Sequence, residues 1–570
     1  MKLKHFALLA ITSILTACAN QEESVQKQYD TVIRGGLIHD GLGSEGKIGD
    51  VAIQGDRIVA IGDLGDVSGK HEIDANGLIV APGFINVLSW AAEPLTYDGR
   101  GMSDLKQGVT LEIFGEGSSP GPLNDEMKKS QLEAQGEMKF DIPWNSLGEF
   151  LQHLEDKGTS LNVASFVGAT TVRINELGYE NRLPTDEEMT RMQQHVIYAM
   201  NEGALGLGTS LIYAPASYSD TNELISLSKA ASVCGGSYIS HMRSEGNKFE
   251  EAVEELITIS KEANIPAEVY HLKAAGKENY AKMDKVIARI EEERAAGYDI
   301  RANMYNYTAG STGLDAMIPP WIQEGGIDNW IKNMQDPELR ARALSEMKDP
   351  NRAWESLGAA SGYENVVLAG FTNPDLRHYT GKRLTEIAEE RGASPEETAM
   401  DLVAENGADV STIYFMMSEE NIRKKLALPW VGFGSDARAI PNEGLFLNSS
   451  THPRTYGNFA RLLGKYVRDE KALTMSDAIR RMTSMPAINL KLKDRGAIKE
   501  GYFADLAIFD PAKISDTATF EEPHQYAEGM VHVFVNGGHA LKDGEHNNVF
   551  SGRFVKRNGW QDQCNINDML

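Results

Sequence analysis

A chain of 570 residues, 24% charged and 41% hydrophobic with 54 Gly and 20 Pro, has a globular composition and exceeds one small domain in length, which excludes fibrous, collagenous and wholly disordered classes. Its 56 Lys and Arg stand against 82 Asp and Glu, and the resulting charge of −26 repels phosphate backbones, so nucleic acid is not an expected partner. Three cysteines, Cys18, Cys234 and Cys564, are too few and too scattered for a disulfide framework or a cysteine-rich zinc module, so a packed core is expected to carry stability.

The chain opens on MKLKHFALLAITSILTAC, two lysines followed by an apolar run and small residues. Residues 1–18 therefore read as a secretory leader, too short in its apolar core to span a bilayer as a stable helix. Leu15-Thr16-Ala17-Cys18 resembles a bacterial lipobox, in which Cys18 is lipidated and becomes the new N-terminus. Ala19 after it favours the outer membrane by resemblance to sorting signals, so the expected location is the cell envelope, facing the periplasm. Residues 19–28 form a polar tether, and no later stretch is a transmembrane candidate.

Residues 29–81 carry short β-rich runs punctuated by Gly-Asp and Asn-Gly turns, and the same style returns over 491–555 in ADLAIFD and HVFVNGGHAL. Both ends are expected to build one small β domain, with 556–570 as a polar tail. Between them, 82–490 alternates helical and strand patterns. One helix begins at Thr185 with Glu188 as its capping box, sets Met189, Met192, Val196 and Met200 on one face and ends at Gly203. About 400 residues of this alternation fit an α/β fold of the (β/α)8 TIM-like barrel type with insertions, and no glycine-rich phosphate loop supports a doubly wound sheet.

Apolar strands in this region run directly into functional side chains. GGSYISHMRSEG ends at His241, IPAEVYHLKAAG at His271 followed by Lys273, WVGFGSDARA at Asp436, and YDIRANMYNYTAGST places Tyr305, Tyr307 and Ser311 at another strand end. The 30-residue interval from one histidine to the other holds one helical pattern, about one βα unit, so successive staves would present both imidazoles at the face where barrels do chemistry. Either histidine alone reads more simply as a hydrogen-bonded residue. Two at corresponding positions, with an acid later, suit zinc.

APGFIN from Ala81, KQGVT from Lys106, GTSLIYAPASY from Gly208, SHMRSEG, YHLKAAG, MYNYTAGSTGL, GSDARA, HPRTYGNFARLLGKYVR from His452 and GYFADLAIFD occur in that order. Together they resemble the N-acyl-D-amino-acid deacylases of the amidohydrolase superfamily over nearly the whole chain. The resemblance implies a (β/α)8 barrel with a β-sandwich built from both chain ends, and hydrolysis of N-acyl-D-amino acids. Two departures stand out. Where amidohydrolases have His-x-His, in a context like PGFIDxHxH, this chain reads PGFINVLSW, with Leu88 and Trp90 unable to ligate; and where the deacylases place a metal-binding cysteine, it has Gly115-Glu116-Gly117. The resemblance thus implies one zinc per chain held by His241, His271 and either Glu116 or a neighbour, since the family cysteine aligns with Gly117, with Asp436 as proton carrier. It points to Lys273, Tyr305 and Ser311 for the substrate carboxylate, with Arg243 and Arg454 as further candidates. Cys234 reads as core and Cys564 has no evident role. A cyclic-amide hydrolase of hydantoinase or dihydroorotase type, a D-residue dipeptidase and a binding lipoprotein without catalysis stay open.

Overall fold

The computed structural model describes residues 28–407 and 410–569. The leader, Cys18 and the tether through Lys27 lie outside the described residues. The alternating N-terminal runs pleat into β1 (Gln28–Ile38), β2 (Lys47–Gln54), β3 (Arg57–Gly62), β4 (Ser68–Asp74) and β5 (Ile79–Pro82). β1 pairs antiparallel with β2, and β2 with β3, while β4 and β5 lie parallel along successive parts of β1.

The chain then enters parallel staves: β6 (Phe84–Asn86), β7 (Val109–Phe114), β8 (Asn162–Ser165) resumed past Phe166 as β9 (Val167–Gly168), β10 (Gly206–Ser210), β11 (Ser237–His241), β12 (Ala267–Val269) and β13 (Ile300–Met304). An insertion follows, with β14 (Ala309–Gly313), β15 (Val366–Gly370) and β16 (Ser411–Phe415) forming an antiparallel sheet over a separate core that includes Leu314, Met317, Trp330 and Tyr414. β17 (Val431–Phe433) returns beside β13. The ring closes where Ser89 and Ala437 form a parallel bridge and the Asp436 N–H donates to Leu88 O at 2.9 Å. Counting β8 and β9 as one stave gives eight, as the strand and helix alternation predicts. Ile85, Leu111, Ile113, Ala164, Ile239 and Tyr270 fill the interior, so the barrel is a packed plug beneath its mouth.

Helices cover the staves. The one over Asp186–Glu202 starts at the Thr185–Glu188 capping box and stops at Gly203, whose φ of 118° ends it. Met192, Val196 and Met200 are buried along its inner face, and full burial stabilises by about 1.5–3 kcal/mol per side chain.

The last strands, β18 (Leu506–Phe509), β19 (Met530–Val535), β20 (Gly538–Lys542) and β21 (Glu545–His546), join the first sheet through β18 against β5. The expected sandwich is therefore one hydrogen-bonded sheet of nine strands whose two arms share a core, Ile33, Ile53 and Ile58 from one and Ile508 and Phe534 from the other. The cysteine reading needs correction. Cys234 and Cys564 are joined in a disulfide across 330 residues, and residues near the C-terminus are docked: Asn201 Nδ2 donates to Cys564 O at 2.9 Å, the Cys564 N–H donates back to Asn201 Oδ1 at 3.0 Å, and Ile566 packs on the core. Spacing along the chain carries no trace of so distant a pairing. Among the described residues no helix is long and apolar enough to cross a membrane.

Candidate metal centre and active site

β11 delivers His241 at its last position, and β12 delivers His271 two residues beyond its end. His271 sits at φ 35° and Asp436, three residues past β17, at φ 50°. Left-handed backbone at non-glycine residues costs about 1–3 kcal/mol and persists where surrounding structure imposes it, commonly at functional sites. Here the Asn303 side chain accepts the His271 N–H at 2.8 Å, and the barrel closure holds Asp436.

Glu116 Oε1 lies 3.0 Å from His241 Nδ1 and 2.9 Å from His271 Nε2, and the three residues are buried. Gly117, at φ 73° and packed on Ser210, turns the chain so that the Glu116 carboxylate enters the barrel mouth. The set fits a divalent ion. One oxygen and two nitrogens lie within 4.8 Å of one another, and His241 Nε2 is buried without a hydrogen-bond partner. Burial opposes the charge on Glu116, but the two imidazoles overcome it and hold the carboxyl well below its usual range.

Asp436 faces this cluster. Burial raises its pKa, the Glu116 charge adds to that, and Arg454 opposes it with Nη1 at 2.8 Å from Asp436 Oδ2. Arg454 also donates from Nη2 to Ser311 O at 3.2 Å and stacks its guanidinium 4.4 Å from the centre of the Tyr305 ring. Tyr305 Oη and Arg454 Nε are both buried without partners. These are donors awaiting an acceptor.

Other expected residues are placed differently. Lys273 is not free for an anion: its ammonium contacts both oxygens of Glu245 at 2.7 Å and His271 Nδ1 at 2.7 Å. Arg243 turns away and pairs with Glu255 at 2.9 Å, because the helix Phe249–Glu262 puts that acid beside it. Ser311 lies on β14 of the insertion, contributing its backbone to Arg454, and Tyr307 donates to Asp516 at 3.2 Å.

Glu245 and Asn86 escape the sequence reading, and Trp90 reads there only as a lost ligand. Glu245 lies within the SHMRSEG motif and sits 2.9 Å from His271 Nδ1, the far side of the ring from Glu116, where a carboxylate orients a metal-binding imidazole. The insertion fixes its loop: Glu355 accepts from the N–H groups of Glu245 and Gly246 at 2.8 and 2.9 Å and from the Ser244 hydroxyl. Asn86 accepts the Ser435 N–H at 2.8 Å and reaches Asp104 and Glu112 at 3.0 Å, buttressing the segment that carries Asp436. Trp90, in a position where His is usual, donates from Nε1 to Glu116 Oε2 at 3.0 Å and to Asp436 Oδ1 at 3.1 Å.

Imidazoles and carboxylates converging at the strand-end face of a closed eight-stave barrel define a metal-dependent hydrolase. The profile of the Amidohydrolase family matches residues 141–538, and the chain belongs to that family. It is 31% identical to a D-aminoacylase of Alcaligenes xylosoxydans xylosoxydans, over 94% of this chain and 99% of that one. A solved D-aminoacylase superposes with a TM-score of 0.77 at 30% identity, covering 93% of this chain and 100% of that chain. An N-acyl-D-glutamate deacylase from Bordetella bronchiseptica, solved with zinc and a phosphonate mimic of the tetrahedral intermediate, does so at 0.77 and 26% identity, again over 93% and 100%.

Proposed function

We propose that this chain hydrolyses the amide of N-acyl-D-amino acids, releasing a carboxylate and the free D-amino acid. The observation that carries the reading is one carboxylate oxygen, Glu116 Oε1, faced by two buried imidazoles, with Asp436 opposite, in a chain similar over 94% of its length to a D-aminoacylase. Glu116, His241 and His271 would hold one zinc, since Leu88 and Trp90 offer no ligand atom. When bound, the ion polarises the scissile carbonyl and makes water nucleophilic near neutral pH.

The chain's own groups supply the rest. Asp436 accepts a proton from the attacking water and passes it to the amine nitrogen, which cannot leave as an anion. Its raised pKa suits that exchange. Tyr305 Oη and Arg454 Nε, donors without partners near Asp436, bind the substrate carboxylate. The leader and Cys18 would place the enzyme as a lipoprotein at the outer membrane, and the Cys234–Cys564 disulfide suits such an oxidising compartment.

The test is a panel of N-acyl-D-amino acids, their L-enantiomers and five- and six-membered cyclic amides, together with metal analysis. Preference for linear D-substrates with about one zinc per chain is expected. Asp436→Asn should lower kcat by orders of magnitude with metal content unchanged. Preference for L-substrates or cyclic amides removes the substrate assignment, and a metal-free, inactive protein removes catalysis altogether.

A further inference from the structure

Glu116 and Asp436 are two buried carboxylates that converge on one point, and what stands at that point is a neutral indole N–H. Such an arrangement ordinarily draws a cation, because like charges brought together out of water repel strongly. The backbone fixes the indole there. Ser89 pairs with Ala437, the Trp90 N–H donates to Ala437 O at 2.9 Å, and the Ser89 N–H donates to Ile113 O at 3.0 Å, so Trp90 is tied to both neighbouring staves. The outer oxygens of the two acids are already committed, Glu116 Oε1 to the histidines and Asp436 Oδ2 to Arg454. The indole therefore bridges the two inner ones. An indole nitrogen donates but has no lone pair to give a metal.

We propose that Trp90 is a positioning residue with two effects: its shared N–H sets the orientation of Asp436 toward the substrate, and its ring occupies the space between the carboxylates, restricting the centre to one ion. This rests on the hydrolase reading above. Trp90 is 43% exposed, so its outer edge forms part of the rim and can be exchanged without opening the core.

The experiment uses the full chain, reconstituted with zinc and freed of excess metal, as wild type, Trp90→Phe and Trp90→His, with circular dichroism to verify folding. Wild type should hold one zinc. Trp90→Phe, which removes the donor and keeps the ring, should keep one zinc and lose kcat on the order of 10- to 100-fold while KM stays within about twofold. Trp90→His, which offers a lone pair between two acids, should bind a second zinc. Undiminished kcat in Trp90→Phe overturns the positioning role. Two zinc ions in wild type, or one in a folded Trp90→His, overturns the exclusion of the second ion. A wild type with neither zinc nor activity refutes the hydrolase reading and this inference with it, whereas one zinc and normal turnover with indifferent variants refutes this inference alone.

Discussion

Replacing Glu245 by Gln removes one negative charge from a buried site. Glu245 and Lys273 are 1% and 3% exposed, and the ammonium touches both carboxylate oxygens at 2.7 Å. Breaking a buried pair by removing one partner costs about 3–5 kcal/mol, because the other charge is left uncompensated. The same change takes the acid from His271 Nδ1, and loss of such an orienting partner weakens metal binding about 10- to 100-fold. Lys273→Met in the Glu245→Gln background removes the stranded ammonium. The double variant should then be more stable than the sum of the two single losses implies, by about 2–3 kcal/mol. Urea unfolding of chelator-treated protein measures stability, and competition with a metallochromic dye measures zinc affinity. A Glu245→Gln variant within about 1 kcal/mol of wild type, or strictly additive losses, would show that the pair is not the buried ionic unit described.

Replacing Cys234 and Cys564 together by Ser should lower stability by about 2–5 kcal/mol and admit proteases to the residues beyond Lys556, read by thermal unfolding and limited digestion. Gly117→Ala places a methyl 2.5 Å from Ser210 Cβ at a φ of 73°, so it should displace Glu116 and reduce both zinc retention and kcat; wild-type zinc retention would contradict that. Lys425 donates to Leu272 O at 2.6 Å, and burial pulls its ammonium down to about 7. Its folded pKa lies below the unfolded value of about 10.4, so the unfolded chain binds more protons between pH 7 and 10 and stability rises with pH there. Lys425→Met should lack that contribution, and the stability difference, wild type minus variant, should grow from pH 7 to 10 in urea titrations.

Features local to one βα unit were legible in the sequence. His241 and Asp436 follow their apolar strands as the pattern predicts, and the Thr185 capping box marks its helix to the residue. What could not be read depends on partners brought close only by folding. Lys273 looks like a free cation until Glu245 arrives from the previous loop, and Arg243 does so until a helix turns Glu255 onto it. Trp90 reads as the loss of a ligand because hydropathy hides its one polar atom. The two cysteines carry no local signal of their pairing across 330 residues.

β5 lies in the first sixth of the chain, and β18, its partner on one side, comes more than 400 residues later. During synthesis the amino-terminal hairpins thus have an open edge until almost the entire polypeptide has emerged. Closing the ring and zipping this sheet are late events governed by distant encounters, which are slow to occur. A polypeptide that must wait for its own end carries an unpaired strand edge in the interim, a surface prone to pairing with other chains.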